Sequence, residues 1–268
     1  MKILLAIILA FSASIFAQPA LESLQRAEEL YLEGLQAEKD NDRAKAAEAW
    51  KQAVDIYSNA LAAKDFDNAR LRYNLANVYL ARKQFGLAIH HYRLANKLEP
   101  DNERIVANLD LARSLRKDHL ASQETDRVLK TLFAFHYDLS FQVRMIVFIT
   151  CYVALFIAII VRIFTKRHVA LTSIIAVTSC IGTILAASLV VSLHDNAQQG
   201  GVITAPVVHA KVGISNSYQD AFETPLHDGT EFILIGRDDS SRWLHIRLDN
   251  ASEGWIPVES ALLDNSEQ

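Results

Sequence analysis

Three long apolar segments interrupt an otherwise mixed pattern of hydrophobic and polar positions. The first covers residues 3–16, follows Lys2 and is followed by Ala17. A positive start, an apolar centre and a small residue before the cleavage point are typical of a secretory signal peptide. We therefore predict a signal peptide over residues 1–17, with an uncleaved anchor as the alternative. Either interpretation places residue 18 onward outside the cytoplasm.

The other two apolar segments lie in the second half of the chain. Residues 145–161 and residues 169–193 contain no charged side chain. About 20 helical residues cross the roughly 30 Å hydrocarbon layer of a bilayer. The pattern predicts transmembrane helices over 145–164 and 169–193. A pair of buried core helices is the alternative, which 25 consecutive uncharged residues disfavour.

The short connection between these segments is basic, with Arg162, Lys166 and Arg167. Short positively charged loops stay in the cytoplasm. The predicted signal peptide gives the same orientation independently. We therefore expect a multi-pass protein of a bacterial inner membrane with both soluble regions on the periplasmic side.

Small residues recur at four-residue spacing in both predicted spans, as Ala154 and Ala158 and as Thr178, Gly182 and Ala186. Such stripes let two membrane helices approach closely, so we predict that they form the packing face of a transmembrane hairpin. The two charge-free segments contain no ionisable residue that could carry protons or ions. This argues against a transporter.

Between residues 18 and 117 the apolar positions recur with the period of amphipathic helices. The segment 69–102 has 34 residues and two amphipathic halves. A weaker copy begins near Ala27, and a third first helix begins at Glu103. Small, aromatic and proline positions occur at the spacing of a tetratricopeptide repeat: Leu75, Ala76, Tyr79, Phe85, Ala88, Tyr92, Ala95 and Pro100. These residues resemble that family, which implies an all-α repeat solenoid over residues 18–117.

The resemblance also implies a concave groove lined by the first helices of the repeats, where such proteins bind protein segments. The groove would hold Tyr31, Arg70, Tyr73, Asn77, Arg104 and Asn108. Arginine and asparagine there are able to hold a peptide carboxylate through charge-assisted hydrogen bonds. A solvated helix face is the alternative. His90 and His91 are adjacent rather than at metal-ligand spacing, which predicts surface residues.

Residues 118–144 connect the repeats to the first predicted span. Val128, Leu129, Leu132 and Phe133 fall on one helical face, and more aromatic residues follow. Aromatic side chains suit the headgroup region. We predict a short interfacial helix here.

From residue 200 the hydrophobic pattern changes to period two, with turns such as Asp228-Gly229 and Asp249-Asn250. Many short strands in about 65 residues predict a small all-β barrel. The order of its marks resembles the bacterial SH3-like domain, over residues 200–265: Ala205-Pro206, Val212-Gly213, Leu226, Gly229, Trp243, Ile246 and Gly254-Trp255-Ile256-Pro257. The fold class expected is thus multidomain, with a repeat solenoid, a transmembrane hairpin and a C-terminal SH3-like barrel.

Two tryptophans of this tail, Trp243 and Trp255, are candidates for a ligand shelf. Tryptophan at such positions more often belongs to the barrel core, and we favour the core. SH3-like modules of this type resemble binders of cell-wall peptides or protein segments.

Charge and composition narrow the function classes. The net charge is −4, whereas residues 195–268 carry 4 basic and 12 acidic residues. An acidic tail does not favour nucleic acid as a partner. The two cysteines both lie in predicted spans, and no cluster of acid, base and nucleophile stands out. We therefore expect no enzyme, no cofactor and no metal.

The order of signal, repeats, membrane hairpin and SH3-like tail resembles the BatE-type proteins of the Bacteroides aerotolerance operons. The resemblance implies an inner-membrane scaffold in a stress or aerotolerance system. It also implies protein partners of that system, which include von Willebrand A-type membrane proteins and a MoxR-type ATPase. A sensor that binds peptidoglycan of the cell wall is the alternative function.

Overall fold

The computed structural model describes residues 2–63, 67–118, 139, 141–164, 168–240 and 242–264, with no side-chain description for 2–20, 168–171 and 194–197. The chain forms two compact units. One unit combines Met1–Leu120 with Gly200–Gln268, and the other is Ala121–Gln199. The helical and the β segments therefore share a unit although 79 residues separate them.

Five helices make the first part of this unit. Asparagine and aspartate side chains start three of them by accepting a hydrogen bond from a backbone N–H of the first turn, as N-caps do. Asp42 caps α2, Asn68 caps α3 and Asn102 caps α5. The helices are α1 Lys2–Lys39, α2 Arg43–Ala62, α3 Ala69–Ala81, α4 Phe85–Leu98 and α5 Glu103–Leu115.

The helical core alternates small and large side chains where the helices cross. Ala27 and Ala53 are fully buried, and Trp50 fills the space beside them. Gly34 is needed for this contact, because a Cβ atom there would overlap the Trp50 ring. The indole Nε1 of Trp50 donates to the backbone oxygen of Tyr31 at 3.3 Å.

From residue 200 to residue 264, leaving out residue 241, the structure shows seven short strands and a 3₁₀ turn at Val258–Ser260. Five of them form an antiparallel sheet in the order β6-β5-β4-β1-β7, and β2 pairs with β3. The strands are β1 Gly200–Ile203, β2 Val207–Val208, β3 Leu226–His227, β4 Glu231–Arg237, β5 Trp243–Arg247, β6 Glu253–Pro257 and β7 Ala261–Leu263.

The expected SH3-like barrel is wrong, because this sheet is open and has β6 and β7 at its edges. The inner face of the sheet is covered by the β2–β3 ribbon, whose Val208 and Leu226 enter the same core as Leu244 and Ile246. The sheet also meets the helices, since Val202 of β1 is fully buried in a cluster with residues of α3, α4 and α5. The β2–β3 ribbon and the helices thus bury the apolar residues of the sheet that closure into a barrel would otherwise bury.

The described residues of the second unit form two apolar helices, α6 Phe141–Phe164 and α7 His168–Ala197. Phe141–Phe164 and Thr172–Leu193 are long and apolar enough to cross a membrane. Only 6% and 11% of the residues in their most apolar windows are buried. Core helices of soluble proteins are mostly buried, so this outward apolar surface favours membrane association.

The contact between α6 and α7 uses a different stripe of α7 from the one expected. Leu185, Ser188 and Ser192 are buried, whereas a Cβ atom at Gly182 would meet nothing within 4 Å. On α6, Ala158 is buried but Ala154 is exposed. Thr178, Gly182 and Ala186 instead line an open groove of about 210 Å³ together with residues of α6.

Two predictions lie partly outside the described residues. Of the predicted interfacial helix over 118–144, residues 119–138 and 140 lie outside the described residues. In the predicted basic connection, Lys166 and Arg167 lie outside the described residues, whereas Arg162 lies near the end of α6. Both remain predictions.

Candidate functional site

A groove of about 630 Å³ opens on the helical part of the first unit, between residues of α1, α2, α3 and α5. Five of the six expected groove residues line it, namely Tyr31, Arg70, Tyr73, Asn77 and Arg104. Sequence reasoning missed the other lining residues, which are contributed by the same helices and the turn before α5: Glu28, Leu32, Tyr57, Asn74, Glu99, Asn102 and Ile105. The spacing of the predicted repeat identified the five expected residues. Most of the additional lining residues are close neighbours of these five on the same helices, so extending the prediction to neighbouring positions would have found them.

A hydrogen-bond network holds the polar floor of this groove. Asn77 Oδ1 accepts from Tyr92 Oη at 2.6 Å and from Asn108 Nδ2 at 3.0 Å. The same Asn108 amide donates to Tyr73 Oη at 2.9 Å. Asn108 is therefore a positioning residue behind the groove wall, since it orients Asn77 and Tyr73. Such a shared network fixes side-chain geometry better than isolated bonds do.

Burial raises the pKa of the phenols of Tyr31 and Tyr57, so both stay neutral at physiological pH. Burial, and then the charge of Glu28, raise the pKa of Tyr57 to about 12. Burial also raises the pKa of Tyr31 and of Tyr92, with a further contribution from the neighbouring Tyr73. Neutral phenols offer both a donor and an acceptor, so this wall presents apolar rings with hydrogen-bonding edges.

The rim of the groove carries both signs of charge. Arg70 and Arg104 are exposed, and within the described part of the chain neither guanidinium makes a hydrogen bond or an ion pair. Glu99 accepts from Asn102 Nδ2 at 2.8 Å, and Glu28 lies on the opposite helix. The two guanidinium groups are able to donate to a carboxylate or to backbone carbonyl groups of a bound chain. The charged and hydrogen-bonding groups that line the groove are carboxylates, guanidinium groups, amides and phenols.

The second predicted site, Trp243 and Trp255, lies on the sheet. Both side chains are half-buried, and the alternate residues Leu244 and Ile256 fill the core instead. The tryptophans therefore project from the opposite face, which differs from the core position that we favoured. The His245 ring stacks on Trp255, with ring centroids 4.6 Å apart and planes 9° apart.

Sequence reasoning missed how the sheet is held against the helices. Glu231 of β4 is the centre of this contact. Its carboxylate accepts from Arg93 at 3.0 Å, from Arg113 at 2.8 and 2.9 Å and from Arg116 at 2.9 Å. Burial acts to raise the pKa of Glu231, but the hydrogen bonds and charges of these arginines outweigh it and lower that pKa.

Asp264, at the end of β7, forms the second charged contact. Its Oδ2 accepts from Arg93 at 2.5 Å and from Lys97 at 3.2 Å, and its side chain is only 1% exposed. His90 Nδ1 lies 3.9 Å from the other oxygen of Asp264. His90 is buried, against the expectation of a surface residue, and burial lowers its pKa to about 4 although Asp264 acts in the opposite direction.

Two aspartates complete the interface. Asp118 accepts from the backbone N–H of His227 at 2.7 Å and from Thr230 Oγ1 at 2.6 Å. Asp228 accepts from the backbone N–H of Gly86 at 2.9 Å, in the first turn of α4. The residue at the N-cap position of α4, Gln84, makes no capping bond of its own. The sheet therefore supplies the cap of α4 from a distant part of the chain.

Comparison with known proteins adds no assignment. No protein-family model matches the chain, and no curated protein matches it significantly.

Proposed function

We propose that this protein is a membrane-anchored adaptor, not an enzyme, whose helical groove binds an extended segment of a partner protein. The observation that carries the proposal is the groove of about 630 Å³, in which tyrosines and amides form a fixed wall beneath two guanidinium groups without partners among the described residues. Aromatic and arginine side chains are the residue types that dominate binding energy at protein interfaces.

The partner segment should contain a carboxylate or an acidic residue together with an apolar side chain. Arg70 and Arg104 supply charge-assisted donors, and Asn74 and Asn77 add amides that are able to pair with a peptide backbone. Tyr31, with its ring partly buried, offers an apolar contact. Such a segment matches the mixture of charge and aromatic surface in the groove.

The chain segments that make up the first unit support a hairpin topology in the membrane. Residues on both sides of the two apolar helices, up to 120 and from 200 onward, pack into one unit. A bilayer cannot run through a packed core, so both parts must lie on one side of it. Two crossings between them satisfy this requirement, and the predicted signal peptide favours the periplasmic side of an inner membrane for both parts.

The resemblance to BatE-type proteins supplies candidate partners for the groove. These are the von Willebrand A-type membrane proteins of an aerotolerance system. An adaptor at the membrane surface would recruit them through the groove, with the docked sheet as part of the same body. This assignment stands as part of the proposal.

Photo-crosslinking from the groove tests the proposal. A photoreactive residue replaces Leu32, which lines the groove and is 56% exposed, in the full-length protein in its native membrane. We expect a discrete crosslinked partner whose recovery falls at least several-fold in Arg70→Ala and in Arg104→Ala. The guanidinium of either residue is exposed, so removing it leaves the helical core unchanged.

Lys51→Ala provides the matched control, because Lys51 is exposed on α2 and is not part of the groove. Its crosslinking should equal that of the unmodified protein. Equal recovery in all three variants, or no crosslink at position 32, would count against a binding groove.

A cell-wall sensor is the second candidate function, and the position of the tryptophans favours it. Trp243 and Trp255 share the face of the sheet that is turned away from its core, and flat indole rings are able to stack on sugars. Sedimentation of the purified full-length protein with peptidoglycan, and its loss in Trp255→Ala, test this candidate. The intact chain is required because β1 and Asp264 are buried against the helices.

A further inference from the structure

An exposed apolar turn projects from the sheet between β2 and β3. Lys211 and Asp220 pair as an isolated bridge, and Val212 N donates to Gln219 O at 3.1 Å, so residues 211–220 form a small hairpin. Val212 is 59% exposed, Ile214 50% and Tyr218 52%. This 211–220 hairpin therefore places its apolar side chains in solvent.

The hairpin has a defined shape. Lys211 pairs a second time with Trp255 of β6, through two backbone hydrogen bonds of 2.8 Å. At the tip, Ser215 N donates to Gly213 O at 2.9 Å. A Cβ atom at Gly213 would lie 2.9 Å from the Tyr218 ring, so that ring lies close over the glycine backbone. The apolar groups are thus presented on a fixed support.

The tip of the hairpin has no charged residue, although the surrounding region of the chain has many. Residues 212–219 contain no charged side chain, within a region 195–268 that has 16. At the base, Asp220 accepts from Lys211 Nζ at 2.6 Å, and His209 Nδ1 lies 3.1 Å from the other oxygen. The ammonium group of Lys211 therefore offsets the charge of Asp220 at the base of the hairpin.

We propose that the 211–220 hairpin inserts Val212, Ile214 and Tyr218 into the headgroup and outer acyl region of the lipid bilayer. The inference rests on the membrane anchoring in the proposed function. Aliphatic side chains gain from leaving water, and tyrosine is suited to the interface between headgroups and hydrocarbon.

A lipid surface fits this feature better than a protein partner does. A stable protein interface covers about 800 Å² on each side, far more than three side chains on one turn provide. Covalent continuity with α7 holds the unit beside any bilayer that this helix crosses, since β1 begins at Gly200 and α7 ends at Ala197. Weak insertion by a small tip becomes effective when the concentration of lipid is raised by such a tether.

Fluorescence of the full-length protein in phosphatidylcholine nanodiscs tests the proposal. Cys151 and Cys180 are first changed to alanine, and Ile214→Cys then carries an environment-sensitive nitrobenzoxadiazole probe. We expect emission shifted to shorter wavelength and strong quenching by doxyl-labelled lipid. The same probe in Val212→Cys should behave alike, which protects the result from a local effect of one substitution.

Two further labelled positions serve as controls. Asp239→Cys, on the exposed connection between β4 and β5, should remain unshifted and unquenched. Ile157→Cys, 56% exposed on α6, reports whether the apolar helices are in the bilayer and should be quenched.

Quenching at 157 without quenching at 214 would overturn the hairpin proposal and leave the anchoring intact. No quenching at 157 would overturn both. A blue shift at 214 without lipid quenching would show a protein contact at the tip and also overturn the proposal.

Discussion

At the scale of single residues, Glu231 has the most consequential environment. Its side chain is 13% exposed, and three arginines from α4, from α5 and from just after α5 surround it. Removing the charge from one side of such a cluster leaves several cations close together without a counter-ion.

Glu231→Gln should therefore destabilise the protein by about 3 kcal/mol. The loss is measured by denaturant unfolding of the purified protein in detergent, followed by tryptophan fluorescence. Glu253→Gln is the matched control, because Glu253 is 45% exposed and lies 3.6 Å from His245. That change should cost less than about 0.5 kcal/mol. Equal effects of the two substitutions would contradict the role assigned to Glu231.

His90 gives the folded state a dependence on pH. Burial lowers its pKa from 6.5 to about 4, while Asp264 raises it and Arg72, Arg93 and Lys97 lower it. A histidine with a depressed folded pKa protonates first in the unfolded chain. Stability should therefore be complete above pH 6.5 and fall as the pH drops towards 4.

The thermal midpoint of His90→Gln should consequently fall less between pH 7 and pH 5 than that of the unmodified protein. The remaining slope comes from His91, whose pKa burial also lowers, to about 3. Two equal contributions predict that about half of the pH-dependent loss remains. An unchanged slope would mean that His90 is not protonated on unfolding in this range.

The residues of the groove and the acidic residues that join the sheet to the helices differ in how well the sequence predicts them. Tyr31, Arg70 and Asn77 were predicted because helical repeat spacing is local in the sequence. Glu231 and Asp264 looked like solvated acidic residues of a tail. Their arginine partners lie 115 to 171 residues away, and no local period records such a pairing.

At the scale of elements, α4 depends on the sheet for its start. Asp228 accepts a hydrogen bond from the backbone N–H of Gly86. The backbone of Phe85 and that of Gly86 both act to lower its pKa. Burial raises the pKa of Asp228 despite these effects, so the buried charge itself is unfavourable here.

Replacement of Asp228 separates the cap from the charge. Asp228→Ala should cost about 1 kcal/mol, the usual value of an N-cap. Asp228→Asn keeps an acceptor oxygen and should be nearly neutral. Amide hydrogen exchange at Gly86 measures the local effect, and it should accelerate in the alanine variant alone. Equal exchange in both variants would mean that the carboxylate does not cap α4.

The open sheet shows the limit of prediction at this scale. Strand positions follow from alternation and turn residues, and β5 and β6 contain the residues Trp243, Ile246 and Gly254-Trp255-Ile256-Pro257 that marked the predicted all-β tail. Closure depends on which strands pair at the edges. In this chain β1 is buried against the helices, where Gly200 allows the close approach of Arg93 of α4, and β7 pairs with β1 as an edge strand.

At the scale of the whole molecule, the shared unit makes a prediction about topology. In a variant without Cys151 and Cys180, single cysteines at Val106 on α5 and at Asp239 on the sheet should both react with an impermeant maleimide added outside intact cells whose outer membrane is permeabilised. Lys166→Cys should react only after lysis. Reaction of positions 106 and 239 from opposite sides would contradict the common unit and the membrane hairpin together.

Because that unit is built from two distant segments of the chain, its assembly has a consequence for biogenesis. The ribosome completes α4 long before it makes the strand that carries Glu231, and the two apolar helices lie between them in the chain. Until the last quarter of the protein has been delivered to the same compartment, Val202 and its neighbours cannot seal the helical core, and the arginines of α4 and α5 stay without their counter-charge. A molecule whose membrane insertion fails should therefore retain an unfinished, cationic surface on which quality-control proteases could act.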